Sequence, residues 1–317
     1  MKWKKLGQIF EFQKSLLINN FESHSQSPQT VVFENFVRVY FSTRRKTADG
    51  QFLSYIQFVD FDKLFSKIIN QSKREVISLG NIGCYDEHGI FPISPVRVKN
   101  KIYAYLSGWT KRLSVDIDSG IGLAISEDNG ESFQRIGDGP VLTSSLYEPF
   151  LVIDGFVRLF YGVFHMWYIY GTDWKIIKGS KEPERTYVIG HATSTDGINW
   201  RKEGRQIVAS KFEDECQALP TVIKIGSRYH MYFCYRNSFD FRKNPNNSYR
   251  LGYAYSDDLI NWIRADEKSG ITVSKNGWDS EMMCYPHLVE VDSQIYMLYN
   301  GNEFGKHGFG LAKLVEI

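Results

Sequence analysis

The sequence predicts an all-β chain, a five-bladed β-propeller whose N-terminal strand completes the last blade. Three observations carry that expectation. A unit of about 60–66 residues recurs five times. Each unit contains a hairpin of alternating apolar residues, the period of a half-buried strand and not of a helix. The last unit is one strand short, while the apolar segment Lys2–Phe10 has no unit of its own. A sandwich built from unrelated hairpins would not have complementary ends. The 317 residues are therefore read as one propeller domain, 1–317, a size that radial repetition accommodates.

The hairpins come in order. They read TVVFENFVRVYFS from Thr30, PVRVKNKIYAYLSG from Pro95, FVRLFYGVFHMWYIYG from Phe156, TVIKIGSRYHMYFCY from Thr221 and HLVEVDSQIYMLYNG from His287. Their turns are placed at Glu34-Asn35, Lys99-Asn100, Tyr161-Gly162, Gly226-Ser227 and Asp292-Ser293. A third strand then runs into Ser-x-Asp and an aromatic residue in GLAISEDNGESF, GHATSTDGINW and GYAYSDDLINW. The Asp closes each turn on backbone N–H groups, and Phe133, Trp200 or Trp262 packs beneath it. These turns are read as structural. Met166, Met231 and Met297 hold equivalent strand places and read as core. GFGLAKLVEI ends the chain with the last blade incomplete, and an added outer strand from Lys2–Phe10 removes its open edge.

Composition excludes several function classes. Aromatic residues make up 15% of the chain and apolar residues 43%, enough for a large core. A net charge of +2, with no run of one sign, argues against nucleic acid or a membrane surface as partner. No segment reads as a signal peptide or a transmembrane span. Cys84, Cys216, Cys234 and Cys284 lack Cys-x-x-Cys spacing, so neither zinc nor a disulfide framework is expected. The expectation is a cytoplasmic protein with no cofactor and no metal, its oligomeric state open.

The chemistry is expected at the top of the propeller, where loops leading into the inner strands meet loops leaving the second strands. Glu87, Glu215 and Glu281 each precede a proline by five residues, in DEHGIFP, DECQALP and SEMMCYP. Symmetry would bring these carboxyl groups toward one axis, where crowding raises at least one pKa and suits general acid–base work on a glycosidic bond. Blade one has Ser23, preceded by Glu22, at the matching place, and blade three has Glu148 and Asp154 in YEPFLVID. The exit loops add residues suited to a sugar or sugar-phosphate ligand: Arg44, Trp109, Trp174, Arg236, Asn300 and Asn302. His88 and His287 lie close to the acidic lead-ins.

The five-unit pattern, the acidic lead-ins and the MWY and SxDGxNW strings resemble the five-bladed propeller glycosidases. These comprise the arabinanase and β-xylosidase group, the invertase and levansucrase group, and the mannoside phosphorylases. The resemblance implies acids from several blades converging in a funnel. Glu215-Cys216 looks like the Glu-Cys pair that carries the acid of the invertase group, which makes Glu215 the implied proton donor. Ser27-Pro28 stands where related enzymes begin blade one with Asp-Pro. The expected function is a glycoside hydrolase-like, carbohydrate-active enzyme with Glu215, Glu281 and Glu87 as acid and base. Two alternatives stay open: a phosphorylase or transferase using the Arg-rich loops, and a non-catalytic sugar-binding propeller.

Overall fold

Tight hairpins organise the chain. In the turns at Tyr161-Gly162 and Asp292-Ser293 both residues have left-handed φ, as a two-residue turn matched to strand twist requires. The structure is a computed structural model describing residues 1–11, 21–177 and 182–317. Its strands are β1 (Lys2–Glu11), β2 (Phe21–Val32), β3 (Val37–Lys46), β4 (Phe52–Phe61) and β5 (Ile68–Gln71). Next come β6 (Gly89–Val98), β7 (Lys101–Lys111), β8 (Ile117–Ser126), β9 (Gln134–Arg135), β10 (Val152–Phe160), β11 (Val163–Lys175), β12 (Glu184–Ser194) and β13 (Arg201–Lys202). The chain ends with β14 (Glu215–Ile225), β15 (Arg228–Asn237), β16 (Arg250–Ser256), β17 (Ile263–Arg264), β18 (Cys284–Val291), β19 (Gln294–Asn300) and β20 (Gly308–Glu316).

Consecutive strands pair antiparallel into β10-β11-β12-β13 and β14-β15-β16-β17, while β18-β19-β20 takes β1 as its outer strand. The groups β2-β3-β4, with β5 beside β4, and β6-β7-β8-β9 are joined by a parallel bridge between Ser54 and Gly89. Gly89 is required there, because any Cβ would collide with the Trp109 indole. The Trp3 indole N–H donates to the Tyr232 hydroxyl at 2.8 Å, which ties β1 to the neighbouring sheet as well.

The first strands of the groups lie side by side. β2 contacts β6 and β18, β10 contacts β6 and β14, and β14 contacts β18. Hydrogen bonds stitch them together: Val157 N to Ser94 Oγ at 3.0 Å, Leu288 N to Thr221 Oγ1 at 3.0 Å, and Thr30 N to His287 Nε2 at 3.1 Å. Met166, Met231 and Met297 are fully buried between sheets. The Ser-x-Asp turns close as sequence implied. In one, the Asp196 carboxylate accepts from the Asn199 side-chain amide and from Asn199 N and Ile198 N, all at 2.8 Å, and these bonds, the amide's foremost, hold its pKa below the usual carboxylate range.

Candidate active site

The acidic lead-ins have a structural purpose that the sequence pattern conceals. In four sheets a buried lead-in acid is ion-paired to a base on that sheet's outermost strand. Asp86 meets Arg135 of β9, Glu148 meets Lys202 of β13, Glu215 meets Arg264 of β17, and Asp279 meets Lys5 of β1. Each pair straps the loop leading into the first strand to the outer edge of the same sheet. Glu215 is 3% exposed. Its carboxylate accepts from Arg264 Nη1 at 2.6 Å, Lys211 N at 2.8 Å and Gln217 Nε2 at 3.0 Å. Glu87 accepts from Gly83 N at 2.9 Å, closing its own loop, and the Glu281 side chain is exposed to solvent. Of the three acids at the repeated offset, only Glu215 is one of these straps; Glu87 closes its own loop and Glu281 reaches solvent.

The cavity lies elsewhere among these loops. It encloses about 540 Å³, and none of Glu87, Glu215 and Glu281 lines it. That volume fits one or two sugar rings within the usual ~300–1,000 Å³ of small-ligand sites. Of the expected binding residues, Arg44, Trp109 and Arg236 line it, accompanied by Phe91, Tyr187, Tyr249 and Tyr285. Among the described residues lining it, Asp154 carries the only carboxyl group.

Asp154 reaches the cavity through a β-bulge. The register between β10 and β11 slips between Ile153 and Phe156, and Asp154 takes a left-handed φ of 60° within the slip. The same irregularity recurs in the other first strands, at Ser27-Pro28, Phe91-Pro92, Leu219-Pro220 and Tyr285-Pro286. Phe91 and Tyr285 also face the cavity. In three of the five first strands the residue just before the proline or glycine thus lines the cavity, while Ser27 and Leu219 do not. Burial pushes the Asp154 carboxyl up to about 7, against the opposing effects of the Leu219 N–H, 3.3 Å away, and Arg185. An acid so poised holds its proton near neutrality and can give it up.

Guanidinium groups surround it. Arg44, Arg185, Arg236 and Arg242 all line the cavity. Arg185 is paired with Asp116 at 3.2 Å; among the described residues, Arg44, Arg236 and Arg242 have no carboxylate partner. Arg236 is 3% exposed and lies 3.5 Å from the Phe241 ring centroid. It donates to the Tyr187 hydroxyl at 2.9 Å, and Tyr187 in turn is 2.9 Å from the Tyr249 hydroxyl. Burial, relieved in part by Arg236, pushes the Tyr187 phenol up to about 12, so it stays a neutral hydrogen-bonding group. Burial, then the charges of Arg44, Lys306 and His307, lower His24 to about 3, leaving that ring neutral. Arg185, Tyr187 and Tyr249 were absent from the sequence-based set, since their strand-end and loop places carry no repeated signal, whereas Arg242 belongs to the Arg-rich loops that the sequence offered for a phosphate or an acidic sugar.

The other expected binding residues do not line the cavity. The Asn300 side chain is buried, accepting from Ser27 N at 2.8 Å and donating to Ser25 O and Gly308 O. Asn302 accepts from Glu281 N at 2.8 Å and Met282 N at 3.2 Å, and so shapes its loop. His88 stacks on the outer side of Trp109, centroids 5.8 Å apart, and Trp174 lies 5.7 Å from the Arg185 guanidinium; neither lines the cavity. His287 is fully buried between first strands, its Nε2 accepting from Thr30, and burial drives its pKa well below the ordinary value. The Glu22 side chain lies outside the described residues.

No family model matches the chain. Among solved structures it is similar to a glycoside hydrolase, with a TM-score of 0.73 at 15% identity, covering 99% of this chain and 93% of that one. It is also similar to an exo-1,5-alpha-L-arabinanase from a bovine ruminal metagenomic library, with a TM-score of 0.66 at 13% identity, covering 95% of this chain and 96% of that one. These likenesses show the fold, a β-propeller of the glycosidase kind. Two shorter matches are to proteins of Thermoanaerobacter. One is a beta-1,2-mannobiose phosphorylase, 28% identical over 31% of this chain and 33% of that protein. The other is a 1,2-beta-oligomannan phosphorylase, 27% identical over 47% of this chain and 48% of that protein. The uncharacterized proteins MT1551 and Rv1502 of Mycobacterium tuberculosis are each 32% identical over 316 residues, 99% of both chains. By that near full-length similarity, the chain belongs to the family of these two mycobacterial proteins.

Proposed function

We propose that residues 1–317 form one five-bladed β-propeller domain, closed by β1, that cleaves or builds a glycosidic linkage with phosphate as the attacking group. The side-by-side first strands and the β1–β20 pairing support the closed ring. The observation carrying the reaction is the pairing, in one cavity, of a single half-protonated carboxyl with guanidinium groups that lack carboxylate partners. Hydrolysis by the two-carboxylate scheme needs a second acid to activate water or attack the sugar. Phosphate needs none, because it is already a nucleophile and asks only for cations to hold it.

In this reading Asp154 gives its proton to the glycosidic oxygen as the bond from the anomeric carbon breaks toward that oxygen. Hydrogen phosphate, held by Arg236 and Arg185, forms the new bond to the anomeric carbon and loses its proton, which restores Asp154. The products are a sugar 1-phosphate and a free hydroxyl. The relatives that act on mannosides with phosphate support mannose-containing disaccharides as first substrates to try. Incubating the protein with β-1,2-mannobiose and phosphate should release mannose 1-phosphate. Asp154→Asn should slow that release at least ~100-fold, the usual scale for a lost general acid. Full activity in that variant, or activity abolished in Glu281→Gln, would remove Asp154 from the role.

A further inference from the structure

The cavity holds more positive charge than one phosphate requires, and that charge falls into two groups. Arg236 is held by Tyr187, and Arg185 is the cation that acts on Asp154. Arg44 and Arg242 form the other group, Arg44 sensing the charge of Arg242, with Lys306 and His307 close enough to act on His24 beside them. The Phe241 ring packs against both Arg236 and Arg242, 3.5 Å from the first guanidinium and 4.3 Å from the second. Arg44 comes from the end of β3, Arg242 from the loop after β15, the strand that carries Arg236, and Lys306 from the loop before β20. Arg44 has a single neutral partner, the Gln26 amide oxygen at 3.2 Å, and burial lowers its pKa. A half-buried guanidinium without a counter-charge is costly unless a ligand supplies one.

Resting on the phosphorolysis reading, we propose that the sugar on the leaving side of the bond is itself acidic, carrying a phosphate or carboxylate that Arg44 and Arg242 bind. The cavity then holds two anions at once, one at Arg236 for the attack and one at Arg44 and Arg242 for recognition. In the synthetic direction the same pair selects an acidic acceptor over a neutral one.

Calorimetric titration of the full chain separates the two ideas, using mannose 6-phosphate, mannuronate, mannose and inorganic phosphate as probes. Mannose 6-phosphate or mannuronate should bind at least tenfold more tightly than mannose, and should still bind when inorganic phosphate is saturating. Whichever acid binds better identifies the phosphate or carboxylate form. Arg242→Gln, at an exposed position that leaves folding intact, should weaken the acidic sugar at least tenfold and leave inorganic phosphate unchanged. Equal binding of mannose and its acidic derivatives would overturn the proposal, as would complete displacement of the acidic sugar by inorganic phosphate. Failure of inorganic phosphate to bind at all would instead sink phosphorolysis, while the acidic-sugar arm remained readable.

Discussion

At the residue scale, the Asp154 carboxyl is distinguished by burial, which raises it to about 7 against the Leu219 N–H at 3.3 Å and the charge of Arg185. A carboxyl whose folded pKa lies above its unfolded value near 3.8 favours the fold most at low pH. That contribution is lost as pH rises through about 7. Urea denaturation of wild type and Asp154→Asn should therefore show wild type losing ground to the variant between pH 4 and pH 8. The full difference is on the order of 4 kcal/mol or less. Parallel stability profiles would mean that Asp154 ionises as an ordinary exposed carboxyl. Activity has the matching limb: if the protonated form is the acid, kcat/KM falls above about pH 7.

The strap between a lead-in acid and an outer-strand base is the repeating device at the scale of elements. Removing one partner of a buried pair leaves an uncompensated charge, which costs ~3–5 kcal/mol. Glu215→Gln should destabilise the protein by less than that amount, because Arg264 keeps its second pair with Asp266 at 3.0 Å; the loss is seen as a lowered denaturation midpoint, while kcat per folded molecule is retained. A stable but inactive Glu215→Gln would restore this residue to the chemistry. Glu281→Gln should alter neither stability nor turnover, because its side chain reaches solvent. The bulges set the other repeated feature. They turn Phe91, Asp154 and Tyr285 inward while leaving the straps to hold the loops from outside.

The hairpins, the Ser-x-Asp turns and the spare N-terminal strand were legible in the sequence because each depends on local chemistry: turn residues, alternation and short side-chain-to-backbone bonds. The site was only partly legible. Arg44, Trp109 and Arg236 stand at strand ends that repeat, so register alone placed them. The acids misled because a buried ion pair and a catalytic carboxyl leave the same mark in a sequence, an acidic residue in the segment leading into an inner strand. Only the partner on another strand, Arg264 for Glu215 and Lys5 for Asp279, tells them apart. Over the whole molecule, β1 carries both Lys5 and Trp3, so it joins the last sheet through backbone, ion pair and indole together. Trp3→Ala should cost about 3–5 kcal/mol, as for other large buried aromatics, and broaden or split the unfolding transition as the last sheet loosens first.

The phosphate dependence of the initial rate on β-1,2-mannobiose tests the central claim most directly. Phosphorolysis by Asp154 among the arginines predicts no turnover without phosphate and a saturating rise as phosphate is added, with mannose 1-phosphate accounting for every bond broken. Release of free mannose at a rate indifferent to phosphate would contradict it, and would make water the nucleophile.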